Sequence, residues 1–181
     1  ALAGLINGVL TFHFQISSFI ATLGTGILLS GFTLGLSGGQ VLFDGIPPVI
    51  LASGQSQFLG LGISVWLTAG IAIGLLYMLV QTPFGRRLYA IGGSERVAFL
   101  AGIRTGALKI VAFVLAGVLI GVGAIFALGQ NGAASAGFGP ELLLPAYAAA
   151  FLGVTTYRPG YYNIPGAVIA IVLMAVGFNG L

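Results

Sequence analysis

The chain is built from long apolar runs separated by short polar segments. Runs such as residues 70–80 show none of the alternation of apolar and polar positions that a membrane β-strand requires. A helix of about 20 apolar residues crosses a bilayer core about 30 Å thick with its backbone hydrogen bonds satisfied internally. We therefore predict an all-α protein, a polytopic transmembrane helix bundle with about six spans, at residues 1–12, 16–36, 58–80, 110–129, 142–156 and 164–181.

Composition narrows the class of protein. Of 181 residues, 58% are hydrophobic and 5% are charged, whereas soluble domains carry about 25% charged residues. So few charges exclude a soluble domain, a disordered segment and a nucleic-acid-binding module, and make membrane lipid the expected surrounding. Without cysteine there are no disulfides or thiolate metal sites, and we expect no metal site. Because both ends fall inside apolar runs, we expect a fragment of a longer membrane protein.

Glycine is abundant, with 31 residues, and several lie four positions apart inside the apolar runs. Small residues at this spacing let helix backbones approach closely in lipid, although chance could produce any single pair. Together they predict a tightly packed bundle. The pairs are Gly4/Gly8, Gly31/Gly35, Gly70/Gly74 and Gly117/Gly121.

The distribution of basic residues predicts the orientation. Five of the six lie in segment 81–109, and loops rich in Lys and Arg face the cytoplasm. Segments 37–57 and 130–145 then lie outside. The fifth run is short and carries Pro145, so it either spans the membrane and returns Arg158 to the cytoplasm, which we favour, or re-enters and leaves Arg158 outside.

The sequence offers little catalytic chemistry. The predicted spans contain no acidic, basic or histidine side chain of the kind that marks ion and proton pathways. His13 lies between the first two spans and is interpreted as an interface residue, and Glu141 suits the start of the fifth, since an acid is favourable near a helix N-terminus. Walker A, His-Glu-x-x-His and Gly-x-Ser-x-Gly motifs are missing from the sequence. We expect no enzymatic activity, so active transport would need an energy source elsewhere.

Segment 81–109 predicts a short helix outside the bilayer. Pro83 ends the third span, because proline cannot continue a helix that needs its N–H. Gly92 and Gly93 are expected to form a flexible break. Ser94 follows as a good N-cap, since its hydroxyl can accept a hydrogen bond from the first turn.

The predicted helix covers about eight residues. Glu95 lies in its first turn, where the helix dipole favours an acid, and Gly102 is a C-terminal stop. Val97, Leu100 and Ala101 would share one face. Because so short a helix is marginal in water, it needs packing against the loop or a partner protein. A basic membrane-surface loop without a partner is the alternative.

This loop resembles the cytoplasmic coupling segment of ribose-type (monosaccharide) ABC importer permeases, which share a superfamily with branched-chain amino-acid permeases. The family pattern is Gly-Arg, then Ala-Ile-Gly-Gly, then an acid, a small residue and Leu-x-Gly-Ile. Ser94 and Arg96-Val97 stand where the family usually has Asn and Ala-Ala. The resemblance implies that the loop couples to an ATPase through Gly85, Arg86, Arg87, Gly92, Gly93, Ser94, Glu95, Ala98, Leu100, Gly102 and Ile103.

Other stretches share the resemblance. Residues 19–25 resemble the family helix that lines the translocation path, with Ser18 in place of its usual proline. Residues 149–153, 158–160 and 165–166 resemble its late segment. The resemblance covers nearly the whole chain, and implies that residues 1–181 are a partial transmembrane permease domain from a protein of about ten helices. The residues implied to line the path are Phe19, Thr22, Gly24 and Thr25.

The family also implies partners and a substrate. It implies a bacterial plasma (inner) membrane permease that pairs with a second copy or homologue, a cytoplasmic ABC ATPase using ATP and Mg²⁺, and an extracytoplasmic solute-binding protein. A ribose-like monosaccharide is the implied substrate. Hydroxyls at Thr22, Thr25, Ser30 and Thr33 would suit a sugar, or would bond back to their own helix.

Other transporter classes remain as alternatives. A branched-chain amino-acid permease is the nearest, because its coupling loop is similar. Gly85-Arg86-Arg87 also resembles a loop motif of major facilitator proteins, but the acid that precedes that motif is missing. An ion-coupled secondary transporter is therefore less favoured, as is a passive channel.

Overall fold

The computed structural model describes residues 1–43, 45–156 and 160–180, the last three by backbone alone. Asp44 and Arg158 lie outside the described residues, so the predicted side of Arg158 is not addressed. Within the described ranges the chain forms α1 (Leu2–His13), α2 (Ser18–Ser37), α3 (Pro48–Gln55), β1 (Gln57–Phe58), β2 (Leu61–Gly62), α4 (Ile63–Gln81), α5 (Pro83–Gly93), α6 (Glu95–Leu100), α7 (Thr105–Asn131), α8 (Phe138–Glu141), α9 (Leu143–Thr156) and α10 (Ile164–Gly180).

The apolar runs of the described chain are mostly helical. Among the described residues, four stretches are long and apolar enough to cross a membrane, namely α2, α4, α7 and Phe138–Thr156, which combines α8 and α9. The first and last runs form the shorter apolar helices Leu2–His13 and Ile164–Gly177. The prediction of an all-α polytopic bundle is confirmed, with one small hairpin added.

That hairpin shortens the third predicted span at its start. Gln57–Phe58 pairs with Leu61–Gly62. The two residues of the turn between them, Leu59 and Gly60, both have positive φ, 54° and 78°, as a type I′ turn requires. The Trp66 indole N–H donates to the Phe58 carbonyl oxygen at 3.1 Å and holds the hairpin on α4. The apolar residues 58–62 therefore lengthen the hydrophobic run without lengthening the helix.

Segment 37–57, predicted to lie outside, contains α3. This helix starts at Pro48, because the fixed φ and missing N–H of proline suit the first helical position. Gly54 of α3 meets Gly129 of α7, and a Cβ at Gly54 would lie 2.7 Å from the Gly129 Cα. Such an approach leaves room for hydrogen only, so the segment is fastened to the C-terminal end of α7.

A second glycine contact joins α1 to α7. A side chain at Gly4 would collide with the carbonyl oxygen of Phe113, and a Cβ at Gly8 would lie 3.0 Å from the Ile110 Cα. A Cβ at Gly117 would lie 3.3 Å from the Gly4 Cα. The predicted packing role of Gly4 and Gly8 is confirmed. By contrast, beyond the adjacent backbone of its own helix, no described atom lies within 4 Å of a Cβ built at Gly31, Gly35, Gly70, Gly74 or Gly121.

The interior of the bundle is narrow. The buried apolar residues of the described chain are four alanines: Ala21, Ala98, Ala149 and Ala170. Large apolar side chains on every long helix point outward. Outward apolar surface costs nothing in hydrocarbon, and helices in lipid associate through small residues. The pattern is that of a membrane bundle.

Candidate coupling and translocation sites

The turn from α4 into α5 is built on a threonine and a glycine. Thr82 caps α5, because its hydroxyl accepts a hydrogen bond from the Gly85 N–H at 3.3 Å. Gly85 is buried, and a side chain there would collide with the backbone of Leu79. Pro83 ends α4 as predicted and is also the first residue of α5. Gly85, predicted as a coupling residue, thus shapes this turn.

The predicted flexible break at Gly92 and Gly93 is wrong. Both glycines are helical and complete α5, since glycine is tolerated in a final helical turn. The chain instead breaks at Ser94, whose extended backbone (φ −161°, ψ 111°) separates α5 from α6. Ser94 keeps its predicted role, because its hydroxyl accepts a hydrogen bond from the Val97 N–H at 3.4 Å.

The short helix α6 is six residues long instead of the expected eight. Gly102, at φ +78°, stops it in the left-handed conformation that glycine adopts without strain. The Ile103 N–H donates to the Ala98 carbonyl at 3.1 Å and the Gly102 N–H to the Phe99 carbonyl at 2.9 Å. These two bonds form a Schellman cap. The predicted stop is confirmed. Ala101 and Gly102, the last two residues of the expected helix, belong to this cap.

The outer surface of α6 is apolar. Ala98 is 3% exposed and packs against the rest of the chain, whereas Leu100 is 78% exposed. Val97 and Phe99 are also exposed. The sequence pattern did not single out Phe99, although an aromatic residue in so short a polar-flanked helix is a usable signal of a contact surface. Apolar exposed surface outside the predicted spans is expected to be covered by a partner.

An ion pair joins α6 to α7. Lys109 Nζ lies 2.6 Å from Glu95 Oε1, with the lysine side chain 30% and the glutamate side chain 52% exposed. Among the described residues it is the only ion pair. Sequence reasoning placed Glu95 at the helix start but missed Lys109, because the partner lies in the next helix and only the fold brings the two together.

The adjacent residues Arg86 and Arg87 have different surroundings. Arg86 Nη1 donates to the Gln81 carbonyl oxygen at 3.2 Å and lines a cavity of about 1180 Å³ between α4, α5 and the start of α10. Arg87 lines a second cavity, of about 640 Å³, together with Gly102 and Ile103. The structure therefore brings Arg87 to the C-terminal end of α6 and leaves Arg86 at the α4–α5 turn.

The four predicted path residues do not share one face of α2. Successive helical residues turn by about 100°, which places Gly24 about 160° away from Thr22. Thr22 donates to its own helix, at 2.8 Å from the Ser18 carbonyl oxygen. Thr25 Oγ1 lies 2.7 Å from Asn7 Oδ1 on α1 and so also links two helices. Phe19 contacts the ring of Tyr147 on α9 edge to face, with centroids 6.1 Å apart.

A cavity of about 460 Å³, whose described lining residues carry no charge, lies at the opposite end of α7 from segment 81–109. Its wall is closed by two hydrogen bonds of 2.9 Å between the backbones of Leu42 and Ala134. Thr33 donates to the Leu29 carbonyl at 3.0 Å, which leaves its oxygen lone pairs free to accept. The hydroxyl residues lining the cavity are Ser30, Thr33, Ser37 and Ser135.

The remaining candidate residues carry no assembled chemistry in the described structure. The described chain contains no cluster of three His, Cys, Asp or Glu residues that could hold a metal ion. His13 is exposed at the end of α1, with its ring edge to face on Phe14 at 5.2 Å. Glu141 is exposed at the end of α8, just before α9.

Known permeases are similar to this chain along nearly its full length. It is 34% identical over 183 residues to the ribose import permease protein of Bacillus subtilis (strain 168), a match covering 97% of this chain and 55% of that protein. It is 35% identical over 168 residues to the autoinducer 2 import system permease protein of Escherichia coli (strain K12 / DH10B), covering 93% and 49%. It is 30% identical over 184 residues to the ribose import permease protein of Escherichia coli (strain K12), covering 100% and 57%.

The chain spans about half the length of these curated relatives. No solved structure is significantly similar to it. The family profile described as "Branched-chain amino acid transport system / permease component" matches residues 1–180, and the apolar helices agree with a multi-pass membrane protein. The chain therefore belongs to this family of transport-system permease components.

Proposed function

We propose that this chain forms part of the permease subunit of an ATP-driven ABC importer that carries a ribose-like monosaccharide into the cytoplasm. Family membership supports a permease role, and the similar proteins are named as import permeases. The observation that carries the proposal is α6, a six-residue helix capped at both ends whose apolar residues face outward.

The surface of α6 fits an ATPase partner. A helix this short does not persist in water by its own propensity, yet its caps fix its ends and Ala98 anchors it to the chain. What remains exposed is a small apolar patch formed by Val97, Phe99 and Leu100. A groove on a cytoplasmic ATPase that hydrolyses ATP with Mg²⁺ would cover this patch. Segment 81–109 is then the cytoplasmic coupling loop, and ATP-driven movement of the partner displaces α6.

The cavity lined by hydroxyl groups supports the proposed substrate class. Ser30, Thr33, Ser37 and Ser135 line it, and none of its described lining residues is charged. Hydroxyl groups donate to and accept from sugar hydroxyls, whereas the ammonium and carboxylate of an amino acid need charged or dipolar partners. This favours a neutral polyol over a branched-chain amino acid. A solute-binding protein outside a bacterial inner membrane would deliver the sugar to a dimer of permease subunits.

An uptake assay separates the two substrate classes. The full-length permease, its ATPase and its solute-binding protein would be reconstituted in vesicles and supplied with labelled ribose or labelled leucine. The proposal expects ATP-dependent uptake of ribose that unlabelled leucine does not compete away. Uptake of leucine but not ribose would contradict the proposed sugar substrate and would indicate a branched-chain amino-acid permease.

Replacing Leu100 by Asp tests the docking surface. A carboxylate buried in an apolar groove is costly, so the affinity of the full-length permease for the ATPase should fall about tenfold or more, which corresponds to about 1.4 kcal/mol. Leu59→Asp is the matched control, because Leu59 is equally exposed, at 78%, on the hairpin at the other end of α4. Equal ATPase binding by both variants would refute docking through α6.

A further inference from the structure

Few side-chain contacts hold α6 to the rest of the described bundle. Ala98 is its buried residue, and its two ends are a break at Ser94 and a left-handed glycine at 102. Among the described residues, the Glu95–Lys109 ion pair is the polar side-chain contact between α6 and the long helix α7. The pair thus adds a side-chain contact between α6 and α7 to the packing of the buried Ala98.

The helix that receives this link reaches the rest of the bundle. α7 has 27 residues and, at 1.5 Å per residue, is about 40 Å long. Near its start, Gly8 of α1 lies against Ile110, one residue beyond Lys109, and at its end Gly129 lies against Gly54 of α3. Because these are contacts between backbones, the helices cannot slide past one another without separating.

The contacts continue to the predicted translocation helix. Asn7, next to Gly8 on α1, lies within 2.7 Å of Thr25 on α2. From the coupling loop to α2 the structure thus offers a continuous series of close contacts: ion pair, glycine contact and side-chain hydrogen bond. A displacement of α6 is transmitted along this series only if α6 moves together with the start of α7.

We propose that Glu95 and Lys109 are positioning residues that make α6 and α7 move as one unit, so that partner-driven movement of α6 reaches the transport path. This inference rests on the proposed function. Partly exposed ion pairs contribute little to folding stability because water and salt screen them. Loss of the pair should therefore leave the permease folded, and should lower the transport obtained per ATP hydrolysed.

A charge swap tests the pair in the full-length complex. Glu95→Lys and Lys109→Glu each place like charges together, and each should lower transport per ATP about fivefold or more. The double variant E95K/K109E restores an attractive pair and should regain most of the lost coupling. Arg104→Glu is the control, since it removes an exposed positive charge from the same loop without touching the pair. It should leave coupling within about twofold of the unmodified protein.

A second measurement works without the ATPase. Spin labels on α6 and α7, at Val97 and Val118, should give a narrow distance distribution in the unmodified pair and in the swap, and a broad one in each single variant. Unchanged distributions in the single variants would overturn the inference whatever the ATPase does.

Failure of both single variants and the swap to bind the ATPase would mean that Glu95 contacts the partner directly, which refutes positioning and leaves the proposed function standing. If no ATPase binds even the unmodified permease, the proposed function fails, and the distance measurement alone decides the inference.

Discussion

Single glycines determine how closely the helices of this bundle approach. Gly54 and Gly129 place α3 on α7, and Gly4 and Gly8 place α1 on it. The sequence could indicate such positions by their spacing but could not separate them from Gly70 and Gly74, which have the same spacing and no described atom within 4 Å of a built Cβ. Spacing on one helix does not say which face has a neighbour.

Gly54→Ala and Gly74→Ala are a matched pair of substitutions in helices. The methyl group at Gly54 would collide with the backbone of Gly129. We expect the free energy of unfolding to fall by about 1–3 kcal/mol, the usual cost of overpacking. Gly74→Ala should cost nothing or stabilise slightly, because alanine is the better helix former. Thermal unfolding of the purified protein in detergent measures both, and equal midpoints would contradict the α3–α7 contact.

The short helix α6 depends on its caps more than on its length. Ser94 and Glu95 were correctly predicted at its start and Gly102 at its end, because capping is encoded by local residue type. Its burial and its ion pair could not be predicted, since Ala98 and Lys109 acquire their neighbours from the tertiary fold. The same holds for Gly92 and Gly93, which the sequence suggests as a break and the fold keeps helical.

Gly102→Ala tests the C-terminal cap. A residue with a Cβ is strained at φ +78° by about 1–2 kcal/mol, so amides near the end of α6 should exchange with solvent deuterium about fivefold faster or more. Gly93→Ala is the control, because Gly93 is helical with no described atom near a built Cβ. Equal exchange in the two variants would mean that the cap does not hold α6.

The bundle as a whole presents different surfaces at the two ends of α7. One end carries the capped helix α6 and the Glu95–Lys109 pair, and the other carries a cavity lined by hydroxyl groups and, among the described residues, by no charged side chain. The sequence predicted the apolar helices of the described chain well, because hydropathy reports on the membrane directly. The cytoplasmic side of segment 81–109 stays a prediction from its basic residues. The assignment of path residues stays a prediction, and it places Gly24 about 160° away from Thr22 around α2, as helical periodicity alone indicates.

Purification of the full-length protein from its native membrane, followed by mass spectrometry of what accompanies it, is the most direct measurement. We expect a cytoplasmic protein with a Walker A motif to co-purify and to be lost from the Leu100→Asp variant. A stable preparation without any ATP-binding protein would contradict an ATP-driven importer, and would direct attention to transport driven by an ion gradient.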